Sequence, residues 1–107
     1  MKKDVTVHGD PKYLALLESM RELHIKKNRG YSGQSSDRWA NFRLAEKFGA
    51  TPFQGCMIRM SDKFIRIQNL IQNPDNDQVG EAIEDTLMDL ASYALIGICL
   101  LEERKDE

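Results

Sequence analysis

Four acidic side chains carry the clearest chemical signal in this sequence. Glu81, Asp85 and Asp89 recur every fourth residue within the stretch Glu81–Leu101. At roughly 100° per residue, such positions step along one side of a helix, about 40° apart. Asp62 lies in the preceding segment, within Arg59-Met60-Ser61-Asp62-Lys63. Carboxylates stacked at helical spacing repel one another and are costly to bury without counter-charge. A divalent cation removes that cost, and hard oxygen ligands suit Mg²⁺ or Mn²⁺. Asp62, Glu81, Asp85 and Asp89 are therefore the candidate metal ligands. The same acids also suit a plainer role. Glu81, Glu84 and Asp85 can be a solvated first turn favoured by the helix dipole. Asp62 can pair with Arg59 or Arg66 in its own helix, for a few tenths of a kcal/mol.

A second group is basic and aromatic. Lys26, Lys27, Arg29, Tyr31, Arg38, Asn41 and Arg43 surround a glycine-bearing loop, and Lys and Arg hold phosphates. Tyr31 or Trp39 offers a ring for stacking on a base, although Trp39 and Phe42 are equally suited to anchoring a core. There is no Gly-x-Ser-x-Gly, no Walker loop, and no paired cysteine or histidine motif. An enzyme built on this chain would draw its nucleophile from metal-activated water.

These groups are positioned by helices. The chain has 107 residues, 41% of them hydrophobic, which suits one compact domain over 1–107. Residues 1–9 read as an N-terminal arm. Asp10-Pro11 starts a helix, with Asp10 as its cap, that runs to about Lys27 with Tyr13, Leu16, Leu17, Met20 and Leu23 on one face. Asn28–Ser36 reads as a loop. Ser36 or Asp37 caps a short second helix with Trp39, Phe42 and Ala45 inward, stopped by Gly49. Thr51-Pro52-Phe53-Gln54 makes a capping box with proline at the first helical position. The third helix then reaches about Gln72, with a seam expected along Phe53, Met57, Met60, Phe64, Ile67 and Ile71. Pro74–Asn76 breaks the chain before the fourth helix, whose core line is expected along Ile83, Leu87, Leu90, Ala94 and Leu101. That helix is apolar nearly all round, so it should be buried on both sides. The fold class is all-α: an antiparallel helical bundle of about four helices. Consecutive antiparallel helices would bring Asp62 level with Asp85 and Asp89.

Charge and hydropathy narrow the partners. A net charge of -2 argues against a general binder of polymeric nucleic acid. The longest apolar run, Ala91–Leu101, is too short to span a bilayer. Met1–Asp10 is polar and unlike a signal peptide. Cys56 and Cys99 read as buried free thiols of a reducing cytoplasm.

Three segments together carry a family likeness: KKNRGYSGQSSDRWANFRLAEKFGATPFQG, RMSDKFIRIQNL and EAIEDTLMDLASYALIGI. They resemble the small, often phage-encoded proteins of the nucleotide-modification-associated domain. Those look related to the MazG-like all-α nucleoside triphosphate pyrophosphohydrolases. The likeness covers about Lys26 to Ile98. MazG-like enzymes carry an ExxE on one helix and an ExxD on another, which together hold Mg²⁺ beside the triphosphate. Asp89, followed by LASYAL, resembles the Asp of the second motif. Asp85 stands four residues before it rather than three, and Arg59 and Asp62 occupy the spacing of the first. The resemblance implies a MazG-like bundle, a nucleotide substrate and catalysis by Asp62, Asp85 and Asp89 with Mg²⁺ or Mn²⁺. It implies that Lys63 and Arg66, with Lys26 or Lys27, neutralise phosphate charge, and that Asn41 and Tyr31 contact base or sugar. It further implies a homo-oligomer and a cytoplasmic setting, that of the host if phage-encoded. Two alternatives stand beside this reading: a protein that binds or sequesters a nucleotide without turnover, and a helical protein-interaction module.

Overall fold

The computed structural model describes residues 8–31, 39–73 and 79–105. Contacts group the chain into two units, Met1–Ser36 and Asp37–Glu107. The first unit contains α1, Pro11–Tyr31. Asp10 starts it as expected: its carboxylate accepts a hydrogen bond from the Tyr13 N–H at 2.9 Å, satisfying one of the free donors of the first turn. The helix runs past Lys27, through four residues read as loop. Asn28 stays helical with its side-chain amide donating back to the His24 carbonyl at 2.9 Å. Ser36, Asp37 and Pro74–Asn76, expected as cap and break, lie outside the described residues.

The second unit begins with a short helix, α2, Ala40–Arg43, which tightens into a 3₁₀ helix, Leu44–Phe48. Gly49 ends it at φ 83°, a left-handed conformation that costs glycine little, as the sequence predicts. α3, Pro52–Ile71, opens with the complete capping box: Gln54 N–H donates to Thr51 Oγ1 at 3.1 Å, and Thr51 N–H to Gln54 Oε1 at 2.8 Å. α4 runs from Val79 to Lys105. All regular elements among the described residues are helical, so the all-α class holds.

α3 and α4 form the main packed pair. On α3 the inward line is Phe53, Cys56, Met60, Lys63, Ile67 and Leu70. On α4 it is Thr86, Leu90, Tyr93, Gly97 and Leu100. Both advance by alternating threes and fours, the spacing of a helix–helix seam. The expected seam is therefore corrected: Phe64 and Ile71 are exposed, and Lys63 and Leu70 take inward positions. The line on α4 is corrected in the same way, since Leu87, Ala94 and Leu101 are exposed. The reason is steric. A Cβ at Gly97 would lie 3.2 Å from Met57 Cε and 3.6 Å from Phe53 Cε1, so the helices meet where α4 is thinnest. Cys56 is wholly buried there, and its Sγ–H donates to the Tyr93 carbonyl at 3.2 Å. Thr86, also buried, satisfies its hydroxyl on the Ala82 carbonyl of its own helix at 2.7 Å.

The α2 segment lies over one flank of this hairpin. Phe42 meets Tyr93 edge-on with ring centroids 6.1 Å apart, and Trp39 tilts against Phe42. Arg43 reaches both oxygens of Glu103, at 3.0 and 2.7 Å. Gly55 admits the segment, since a Cβ there would lie 3.0 Å from Ala45 Cβ.

Two measurements check this packing. Burial pushes the Cys56 thiol up, against a smaller lowering by the Arg59 charge, so its reactive thiolate is scarce. Cys99 is exposed, contrary to the expectation of two buried thiols. A thiol-reactive chromophore should therefore label one site quickly in the native protein and the second only on unfolding. Gly97→Leu should lower stability by about 1–3 kcal/mol in urea denaturation, because Met57 and Phe53 fill the space.

Candidate functional site

Two turns from the Cys56–Gly97 contact, the seam carries a charged pair. Lys63 Nζ lies 3.1 Å from Asp89 Oδ2, joining α3 to α4, with side chains 28% and 42% exposed. Lys63 occupies an inward position because its aliphatic stem can lie along the seam while its ammonium reaches the edge. Pairs this exposed contribute on the order of 1 kcal/mol or less. The weakness matters for function, because either partner can exchange the other for a ligand at small cost.

The surroundings of the pair follow from helical geometry. Asp85 is one turn before Asp89, and Tyr93 one turn after it, on the same flank of α4. Tyr93 touches Phe42, so this is the flank that α2 covers further along. On α3, Gly55 faces Ala45, and Arg59, Asp62 and Arg66 follow it at helical spacing on the corresponding flank. One flank of the hairpin therefore presents Asp85, Asp89, Lys63, Arg59, Asp62 and Arg66 beyond the end of the 3₁₀ helix. Asp62, Asp85, Glu81, Arg59 and Arg66 are all exposed.

Under the 3₁₀ helix the same flank holds an open depression of about 170 Å³. Asn41 and Arg59 are its polar members, and Phe42, Leu44, Phe48 and Ile58 form most of its apolar wall. Sequence reasoning singled out Asn41 but not Arg59 as a binding residue, and missed Phe48, which stands 85% exposed. A lone phenylalanine after Glu46-Lys47 gives no periodic signal that distinguishes rim from core.

The other expected site residues are placed as follows. Lys26 and Lys27 are exposed on α1. The Tyr31 side chain, and Arg38, lie outside the described residues. Arg43 is engaged by Glu103. Among the described residues, no three His, Cys, Asp or Glu side chains group closely enough to hold a metal. Mg²⁺ is commonly held by one or two carboxylates with water and substrate phosphates, and Asp85 and Asp89 offer two, one turn apart. No helix among the described residues is long and apolar enough to cross a membrane. No family model, curated protein or solved structure matches the chain.

The pair can be tested by a double-mutant cycle. Lys63→Met and Asp89→Asn should couple by about 1 kcal/mol or less in denaturation, and the coupling should shrink in high salt. A coupling of opposite sign, or one that grows with salt, would contradict an attractive contact between the two side chains.

Proposed function

We propose that the protein is a Mg²⁺-dependent nucleoside triphosphate pyrophosphohydrolase, acting on a (deoxy)nucleotide as a homo-oligomer. The observation that carries the reading is the half-buried Lys63–Asp89 pair with Asp85 one turn away, on a flank that also bears Arg59 and Arg66. Polyphosphates need cations, and their metal needs carboxylates; this flank holds both kinds of group within a few helical turns. In the free chain Lys63 neutralises Asp89. With nucleotide present, Lys63 is the cation nearest that carboxylate and the natural phosphate contact, and Arg66 and Arg59 extend the positive line. Asn41 has an amide that can donate to and accept from a base or sugar, beside an apolar wall suited to a ring. Asp89 and Asp85 would hold the Mg²⁺, which supplies a polarised phosphoryl oxygen and an activated water. Asp62 stands on the facing helix as a further acid for the metal or for that water.

A second reading has its own support. Because no three acids gather among the described residues, the same flank also suits binding a nucleotide without turning it over. One assay separates the two. With Mg²⁺ and a panel of (d)NTPs, the hydrolase releases pyrophosphate from at least one. Asp89→Asn should lower that rate at least about a hundredfold, with unchanged helical circular dichroism. Full activity in Asp89→Asn would sink the site assignment, and saturable binding without pyrophosphate release would favour sequestration.

A further inference from the structure

The charged flank is not uniform along its length. Two exposed arginines, Arg59 and Arg66, share one line of α3, about 10.5 Å apart along the axis. Asp62 stands between them at three- and four-residue spacing, where a pair with either is within reach. Yet among the described residues neither guanidinium lies within ion-pair distance of a carboxylate. Arg59 also lines the depression, beside Asn41 and Ile58; Arg66 does not.

What faces each arginine across the seam also differs. The Lys63–Asp89 contact and the Cys56–Tyr93 contact fix the levels of two antiparallel helices. One turn from Lys63 and Asp89 in one direction, Arg59 is level with Tyr93. One turn in the other, Asp85 is level with Ile67, next to Arg66. At the depression, then, the flank offers a cation that faces a tyrosine. Further along it offers Lys63 and Arg66 facing Asp89 and Asp85, with Asp62 leading into them. Beyond Arg66, Ile67–Asn73 contains no charged residue, and the carbonyls at a helix C-terminus disfavour an anion. The positive line thus starts at the depression and stops at Arg66.

We propose that this flank binds a nucleotide in one direction, ring in the depression and phosphates toward Arg66, and that Arg59 and Arg66 sort nucleotides by phosphate number. The inference rests on the nucleotide reading above and adds its polarity and the residues that set it. Arg59, at the rim of the depression, meets the phosphate nearest the ring. Lys63 and Arg66, about 6 and 10.5 Å further along the helix, meet the later ones. The later phosphates approach Asp89 and Asp85, which repel them as like charges. Mg²⁺ between the two sets of oxygens offsets that repulsion. The first phosphate lies at the Tyr93 level and does not need it. Affinity for a monophosphate is therefore independent of Mg²⁺, and affinity for a triphosphate is not.

Equilibrium binding tests this without turnover. The probes are deoxynucleoside monophosphates and the α,β-imido analogues of the triphosphates, titrated by calorimetry in Mg²⁺ or in EDTA. Mg²⁺ should raise the affinity of the triphosphate analogue at least about tenfold and leave that of the monophosphate within about twofold. Arg59→Gln should weaken both ligands at least about tenfold, whereas Arg66→Gln should weaken the triphosphate analogue as much and the monophosphate less than about twofold. Both arginines are exposed, so both variants should keep the wild-type circular dichroism and urea midpoint. Monophosphate binding that ignores Arg59→Gln, that falls equally in Arg66→Gln, or that is absent at millimolar concentration while the triphosphate analogue binds would overturn the polarity. So would a Mg²⁺ effect of equal size on both ligands. The expected pattern of affinities without pyrophosphate release would defeat the catalytic reading alone. Pyrophosphate release with the opposite pattern would defeat this inference alone, and no binding to any nucleotide would defeat both.

Discussion

The close approach of α3 and α4 at Cys56 and Gly97 is the constraint on which the rest of the second unit depends. Gly97 has no side chain to hold the helices apart, and Phe53 and Met57 occupy the space a Cβ would need. Cys56 fits the opposing gap and ties its thiol to the Tyr93 carbonyl. With the axial register set there, residue levels further along follow from the rise of the helix. Lys63 is thereby brought to Asp89, and Tyr93 is presented to Phe42. A bulkier contact would separate the helices and loosen the charged pair and the aromatic contact together.

That register divides the hairpin into two unlike flanks. One is charged, carries the α2 segment near one end, and gathers Asp85, Asp89, Lys63, Arg59, Asp62 and Arg66. The other is apolar and free of ionisable groups along α4 from Leu87 to Leu101. The last helix thus serves three surfaces at once: the seam with α3, the charged flank, and an exposed apolar stripe. Its hydrophobicity nearly all round, which makes it look like a fully enclosed rod, is the sum of the first and third.

Local signals were legible in the sequence, and register was not. The Asp10 cap, the Thr51–Gln54 capping box and the Gly49 terminator depend on residues three or four apart, so the chain announces them directly. On α3 two adjacent apolar lines satisfy the same period, so periodicity alone does not choose between them. Phe64 and Ile71 are greasier than Lys63 and Leu70, yet the small residues Cys56 and Gly97 decide which line turns inward. The turn-rich composition of residues 28–36 predicts a loop from Asn28 onward. In the helix the Asn28 amide finds the His24 carbonyl instead. At the candidate site, the acids and Lys63 were visible as residue types. The Lys63–Asp89 contact was not, since it depends on the register of two helices, and Arg59 and Phe48 join the site only through the fold of the 3₁₀ segment.

The Arg43–Glu103 contact joins residues 60 positions apart, whereas α3 and α4 are neighbours in the chain. Hairpin pairing closes a short loop and is entropically cheap; docking of α2 needs the final turns of α4. On a ribosome, the α2 segment emerges before α3 and α4, the two helices it rests on through Gly55, Tyr93 and Glu103. Its wall of the depression therefore assembles after the hairpin, and loss of the Glu103 carboxylate would loosen one anchor of that wall without unmaking the seam beneath it.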